Sequence, residues 1–376
     1  MKLNLEEIAK EVFKDKKLVI EHLSEDRIKV WYPAKGRGPN PFVFQRIVKF
    51  DEEFAEAVGM YLGDGKTTKN DLTHTAIATM DEDVGKFIFD FFRKRLLVKL
   101  DYFYLEVVYR DQYESHLKYK WANLLDVPTA KLHTTYSKRH RKDVLHMQIG
   151  GTILRKIFDR VIEICLPVVK ENELLRRAFL RGHFAADGGI GVTKDVFRNY
   201  VVTVTFSYNP LNERWLRDFL IECLKMEGLR NIDYKEYWHK CYVQVANWYN
   251  YLILWKIRLF DRCERKKNKF LKAVRDMTVY LELKPRFRNH FFSSLHMQQW
   301  KIAEIVDSWQ GNISKTIKGI HLLKVEQITS LLNYSPFTWQ DILKNSNFMR
   351  IGTQTKLPVD NHFIKFVLSE KNHVRI

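Results

Sequence analysis

The chain has 376 residues, enough for two to four folded units rather than one. Its 63 lysines and arginines stand against 45 acidic residues, a formal net charge of +18 that points to a polyanionic partner, most simply nucleic acid. A hydrophobic share of 45% argues against a disordered chain, and no apolar run reaches the ~18 residues of a transmembrane span.

Met1 to Phe13 reads as an amphipathic helix rather than a signal peptide, so a cytoplasmic, nucleoid-associated protein is expected. A strand-like piece, Arg27 to Trp31, follows. Pro33 to Pro41 is then a Pro- and Gly-marked loop in which Lys35 and Arg37 either touch DNA backbone or are solvated. Residues 1–50 are read as an N-terminal extension.

A helix-like run from Glu52 carries into Ala57-Val58-Gly59-Met60-Tyr61-Leu62-Gly63-Asp64-Gly65. Beyond it lie an alternating run (Leu72–Thr79), a helix-like run (Asp83–Leu97) and a second strand-like run (Tyr102–Arg110). The polar, basic stretch 111–142 reads as an insertion: a DNA-facing excursion, or a solvated loop with a short helix around Trp121. A strand through Gln148 and an apolar helix close the segment.

The pattern then repeats. Glu171 to Phe179 leads into Leu180-Arg181-Gly182-His183-Phe184-Ala185-Ala186-Asp187-Gly188. Strand-like Asn199–Ser207, helical Pro210–Met226 and strand-like Ile232–Trp238 follow. His146-Met147-Gln148-Ile149-Gly150-Gly151 matches Tyr242-Val243-Gln244-Val245-Ala246-Asn247. Asp64 to Gln148 is 84 residues and Asp187 to Gln244 is 57, and the difference of 27 is close to the length of the insertion.

Gly59 and Gly63 lie four apart, as do Gly182 and Ala186, so each pair shares one helix face. Small residues there let two backbones approach. Gly65 and Gly188 stand where a helix would stop, because glycine readily takes the left-handed C-terminal conformation. Asp64 and Asp187 then fall in the last turns, side by side if the helices pack together. Like charges at the negative ends of two helices repel, and a divalent cation resolves the conflict.

These two segments resemble the signature of the LAGLIDADG homing endonucleases in their two-motif, single-chain form, in archaeal-type wording. The acidic eighth position falls at Asp64 and Asp187. The resemblance spans residues 50–260 and leaves both ends unexplained. It implies an α+β fold: two pseudosymmetric αββαββα-type units (51–165 and 166–260) whose antiparallel sheets saddle DNA. It also implies a monomer that cleaves both strands of a long DNA site. Mg²⁺ or Mn²⁺ would be held by Asp64 and Asp187, joined by the carbonyls of Gly63 and Ala186. The exposed alternating positions of 66–79 and 190–207 would face the major groove.

Some residues depart from that pattern. His183 replaces an apolar residue, as a satisfied core histidine or a polar neighbour of the site. Arg181 replaces a small one, facing solvent or phosphate. The family often supplies a lysine near each metal site, but after Gln148 and Gln244 this chain has Thr152 and Trp248. Lys66, Lys194 and Lys240 are substitutes by sequence proximity only, each a supporting residue, a phosphate contact or a surface lysine.

Two other readings stand beside nuclease activity. One is an RNA-binding maturase acting on an intron. The other is a DNA-binding or regulatory protein that keeps the fold without turnover. The chain neither begins with Cys or Ser nor ends in His-Asn, so a free-standing protein rather than an intein is expected.

Cys165, Cys223, Cys241 and Cys263 show no CxxC spacing and read as reduced core residues. Residues 261–376 carry 20 basic and 10 acidic residues. Arg265-Lys266-Lys267, Arg286 and Arg288 are the candidate DNA contacts there. Helix-like stretches at His296–Trp309, Ile313–Ile320, Val325–Leu332 and Thr338–Leu343 make this a helical domain, either a helix-turn-helix-like module or a buttress.

Overall fold

The computed structural model describes residues 1–33, 41–64, 74–110, 115–138, 142–194, 200–237, 240–275, 278–351 and 355–370. The chain mixes helices with small sheets, an α+β fold. It divides into two compact units. One holds Met1–Gly189, Val204–Gln244 and Leu254–Lys267; the other holds Ile190–Thr203, Val245–Ile253 and Asn268–Ile376.

The N-terminal segment is a folded layer. Strand β1 (Lys2–Asn4) runs into α1 (Leu5–Val12), where Asn4 Oδ1 accepts from the N–H groups of Glu6 and Glu7 at 3.2 and 3.4 Å. That side chain satisfies donors that a helix start leaves free. β2 (Val19–His22), β3 (Arg27–Trp31) and β4 (Phe42–Gln45) form an antiparallel sheet, and β5 (Ile47–Lys49) pairs with β1. Alternate residues Ile28 and Val30 are fully buried, as the pleat requires.

Helix α2 (Glu52–Asp64) starts on Asp51, whose Oδ1 accepts from the Phe54 N–H at 3.3 Å. Then come β6 (His74–Thr79) and α3 (Glu82–Asp90), the latter prolonged by a π-helical turn at Phe91–Arg95. β7 (Phe103–Tyr109), α4 (Ser115–Leu125), β8 (Leu132–Tyr136) and β9 (Val144–Gly150) complete a sheet of order β6-β9-β7-β8. Leu105, Val107, Leu145 and Met147 line its buried face.

The stretch 111–142 is thus no plain loop. It supplies α4 and then β8, which pairs parallel to β7 from Leu105↔Leu132 to Tyr109↔Tyr136. This departs from an all-antiparallel sheet, because a helix between two strands makes the crossover that parallel pairing needs.

α5 (Thr152–Glu171) and α6 (Glu173–Asp187) are separated at Asn172, whose side chain accepts from the Leu175 N–H at 3.1 Å and starts the new helix. β10 (Gly188–Lys194), β11 (Tyr200–Ser207), α7 (Arg214–Met226), β12 (Ile232–Tyr237) and β13 (Lys240–Val245) follow. Their sheet has the order β10-β11-β13-β12. The run β11-β13-β12 repeats the order β6-β9-β7, with Gln148 and Gln244 on the matching strands β9 and β13. α8 (Trp248–Lys256) and α9 (Glu264–Arg275) come next.

The remainder belongs to the second unit: β14 (Val279–Leu283), α10 (Pro285–Ser294), α11 (Gln299–Ile305), α12 (Gln310–Ile317), β15 (Leu323–Lys324) and α13 (Val325–Leu332). Then come α14 (Trp339–Lys344), β16 (Ser346–Ile351), β17 (Thr355–Leu357) and α15 (Asn361–Glu370). The segment is not purely helical. An antiparallel sheet, β15-β14-β16-β17, runs through it. β15 and β17, of two and three residues, are too short to leave a readable alternation, whereas Val279–Leu283 alternates buried and half-buried residues and is readable. Among the described residues no helix is long and apolar enough to cross a membrane. All four cysteines are buried and free.

Candidate active site at the ends of two helices

Helices α2 and α6 meet backbone to backbone. A Cβ added at Gly59 would stand 2.2 Å from the Phe179 carbonyl oxygen and 2.9 Å from the His183 nitrogen. One added at Gly182 would stand 2.0 Å from the Glu56 carbonyl oxygen. Next to the carboxylates, a Cβ on Gly63 would lie 2.8 Å from Ala186 Cβ and 3.2 Å from the Asp187 nitrogen. Hydrogen is the only side chain these contacts admit at Gly59 and Gly182, since backbone atoms cannot swing aside.

Asp64 and Asp187 are the last residues of these helices. Burial pushes the Asp64 carboxyl up to about 6, with Asp81 adding to the shift and Lys266 opposing it. Burial also pushes Asp187 up, to about 7, and the negative charge of Asp64 is the next cause. Lys266 again opposes. The charge of Asp64 thus hinders ionisation of Asp187.

Gly188 does not end α6 in the left-handed way. Its φ is −78°, and the chain passes directly into β10. Glycine is needed there for space, because a Cβ would come within 2.3 Å of the Phe184 ring and 2.4 Å of its carbonyl oxygen. Gly65 lies outside the described residues.

Lys266 is the residue that sequence reading misplaced. It is 4% exposed, not a surface phosphate contact. Its ammonium donates to the carbonyls of Phe184, Ala185 and Ala186 at 2.8, 2.7 and 2.9 Å. All three donors thus serve the C-terminal end of α6, where a cation is electrostatically favoured. Burial holds its pKa below the usual lysine value. Periodicity could have found it: Lys266, Phe270 and Val274 fall on one stripe of α9, in step with Cys263 just before the helix, and all four are buried.

Its neighbours are also engaged. Arg265 grips Asp81 with Nε and Nη2 at 2.6 and 2.9 Å. Burial opposes ionisation of Asp81, yet that guanidinium holds it below the usual carboxylate range. Lys267 pairs with Asp261 at 3.1 Å. Arg288 donates from Nε to the Ile317 carbonyl at 3.1 Å, whereas Arg286 is exposed on α10.

Arg181 faces neither solvent nor phosphate. It reaches across to Glu56 of α2 at 3.0 Å, and Arg262 takes the other oxygen of Glu56 at 2.5 Å. His183 is fully buried between Phe179 and Phe206, and neither ring nitrogen has a hydrogen-bond partner. It is a core histidine but not a satisfied one. Burial, then the charge of Lys266, drives its pKa down to about 3, so it is neutral.

Gly59, Gly63, Asp64, Gly182, Ala186 and Asp187 come together in one seam. Gln148 and Gln244 lie half-buried in their sheets. Lys66 lies outside the described residues. Lys194 and Lys240 lie on β10 and β13, but their side chains are outside what is described. Among the described residues, no group of three or more His, Cys, Asp or Glu side chains is placed to hold a metal ion. Two carboxylates are nonetheless a fitting donor set for Mg²⁺, which keeps several waters and completes its shell with substrate phosphate.

No family model matches this chain, and no curated protein matches it. Among solved structures, I-DmoI in complex with DNA and Ca is similar over 54% of this chain and 86% of that one, at 14% identity and TM-score 0.27. A structure of mesophilic variants from the homing endonuclease I-DmoI is similar over 56% and 88%, at 13% identity and TM-score 0.27. Full-length DUF199/WhiA from Thermatoga maritima is similar over 88% and 95%, at 12% identity and TM-score 0.32. Likenesses this distant carry no weight for function.

Proposed function

We propose that the protein is a monomeric, site-specific endonuclease of double-stranded DNA, of the homing type, using Mg²⁺ or Mn²⁺. The observation that carries this reading is the pair Asp64 and Asp187, set at the ends of two helices whose backbones touch at Gly59 and Gly182. Two buried acids, one raised by the charge of the other, in a chain of net charge +18 suit a cation-bridged contact with a phosphodiester.

Asp64 and Asp187 would hold the cation, which supplies Lewis-acid polarisation of the scissile phosphate when bound. The glycine seam fixes the spacing of the two acids. Lys266 secures the last turn of α6 and so the direction of Asp187. Burial and repulsion keep a proton on the pair near neutral pH until a cation arrives, so occupancy rises with pH.

The test is cleavage of a randomised duplex library with Mg²⁺ or with EDTA, followed by sequencing of the ends. Discrete Mg²⁺-dependent ends that vanish in Asp64→Asn and in Asp187→Asn are expected. Wild-type cutting by either variant would sink the assignment.

One observation favours a second reading. Lys266 already supplies a positive charge at the end of α6 and occupies the Ala186 carbonyl that the family resemblance gives to the metal. A protein that binds DNA, or intron RNA, with weak or no cleavage fits that arrangement. Duplex or structured-RNA binding without cleavage in the same assay would select it.

A further inference from the structure

We propose that the second unit carries a nucleic-acid site of its own, a cleft that takes an unpaired base of a single strand against Trp309. The cleft measures about 510 Å³, within the range of small-ligand sites. Trp309, Asn312, His321, Lys324 and Arg350 line it, with Tyr280 behind Arg350.

Trp309 is 72% exposed, an unusual position for the largest apolar side chain. It is nonetheless held. A Cβ added at Gly311 would stand 2.6 Å from the indole ring, so the ring rests on bare backbone. The exposed remainder of the indole is what a base would stack on. The Arg350 guanidinium stands over the Tyr280 ring at 5.7 Å, fixing one cation in the wall. Lys324 and His321 are exposed beside it. Asp307 is the acid of the lining, so cations outnumber acids.

An aromatic face flanked by cations is the arrangement that single strands use, because each free base offers a π-face and each linkage a phosphate. A paired base is stacked inside its duplex and cannot present that face to a concave cleft. The Asn312 amide adds donors and an acceptor for a base edge. Nothing in this site depends on Asp64 or Asp187, so it can be tested with cleavage silenced.

The experiment uses the full chain in EDTA with fluorescein-labelled oligothymidylate and oligouridylate of about twelve nucleotides, the upper part of a single-strand site size. A duplex of equal length is the control. Trp309→Ala should weaken single-strand binding about tenfold or more, the usual loss for one stacked base. Trp309→Phe should keep most of the affinity. Lys324→Gln should flatten the salt dependence by one phosphate contact. Duplex affinity should stay unchanged in all three. Whichever oligomer binds tighter assigns the strand to DNA or RNA. Failure of the wild type to bind either strand would overturn the proposal. So would Trp309→Ala binding within twofold of wild type, or an equal loss on duplex, which would place the contact in a groove instead.

Discussion

Glu56 and Arg181 stand 125 residues apart in the chain and 3.0 Å apart in space, one on each of the two central helices. Glu56 is 2% exposed and holds Arg262 as well. Removing one member of such a buried set leaves charge without a partner. Glu56→Ala should therefore destabilise by about 3–5 kcal/mol, read by urea unfolding. A loss no larger than that of an exposed pair, such as Lys10 with Glu7, would show that the bridge is incidental.

The seam itself leaves no room for a larger side chain. Gly182→Ala puts a methyl 2.0 Å from the Glu56 carbonyl oxygen, and Gly59→Ala puts one 2.2 Å from that of Phe179. Either must push the helices apart. Each should cost about 1–3 kcal/mol or more and spoil cleavage together with stability. Alanine variants with wild-type melting temperatures would mean that the helices do not touch in solution.

The carboxylate pair makes stability depend on pH with a definite sign. Asp64 and Asp187 sit at about 6 and about 7, above the ordinary 3.8, so the folded protein holds protons that the unfolded chain has released. That contribution is complete below about pH 4 and disappears as pH rises through about 7. In EDTA, the Asp64→Asn/Asp187→Asn protein should lack this slope between about pH 4 and 7. On the proposed reading, Mg²⁺ raises the wild-type melting temperature at the upper end of that window only. Parallel slopes for wild type and double variant would refute the coupling.

Lys266→Met keeps the stem and removes the three donors. The carbonyls of Phe184, Ala185 and Ala186 lose their partner, for about 2 kcal/mol of stability. Both aspartates also lose the cation that lowers them, so any pH–cleavage profile should move to higher pH. A profile that stays in place would reduce Lys266 to a structural cap.

Much of this arrangement was legible in the sequence because it rests on residues with one physical use. Only glycine fits at 59 and 182, and only an acid at 64 and 187 makes the pair. The strand runs were readable from alternation, to within one or two residues at β7 and β11. What could not be read depends on distant partners. Arg181 looks like a solvent residue until Glu56 is placed opposite. Lys266 looks like a basic patch until α9 is turned so that Cys263 and Phe270 point inward. β8 could not be assigned beside β7, because parallel pairing leaves no turn signature between the strands.

The seam at Gly59 and Gly182 also orders events during synthesis. The two glycines are 123 positions apart, and a ribosome adds about 5–20 residues each second. The face of α2 that carries Val58 and Gly59 therefore waits several seconds for its counterpart. A nascent chain shorter than 182 residues cannot close the centre of its own core. Chaperone contact with that half-made protein should concentrate on α2, and a shortened message should yield an insoluble product rather than a smaller working unit.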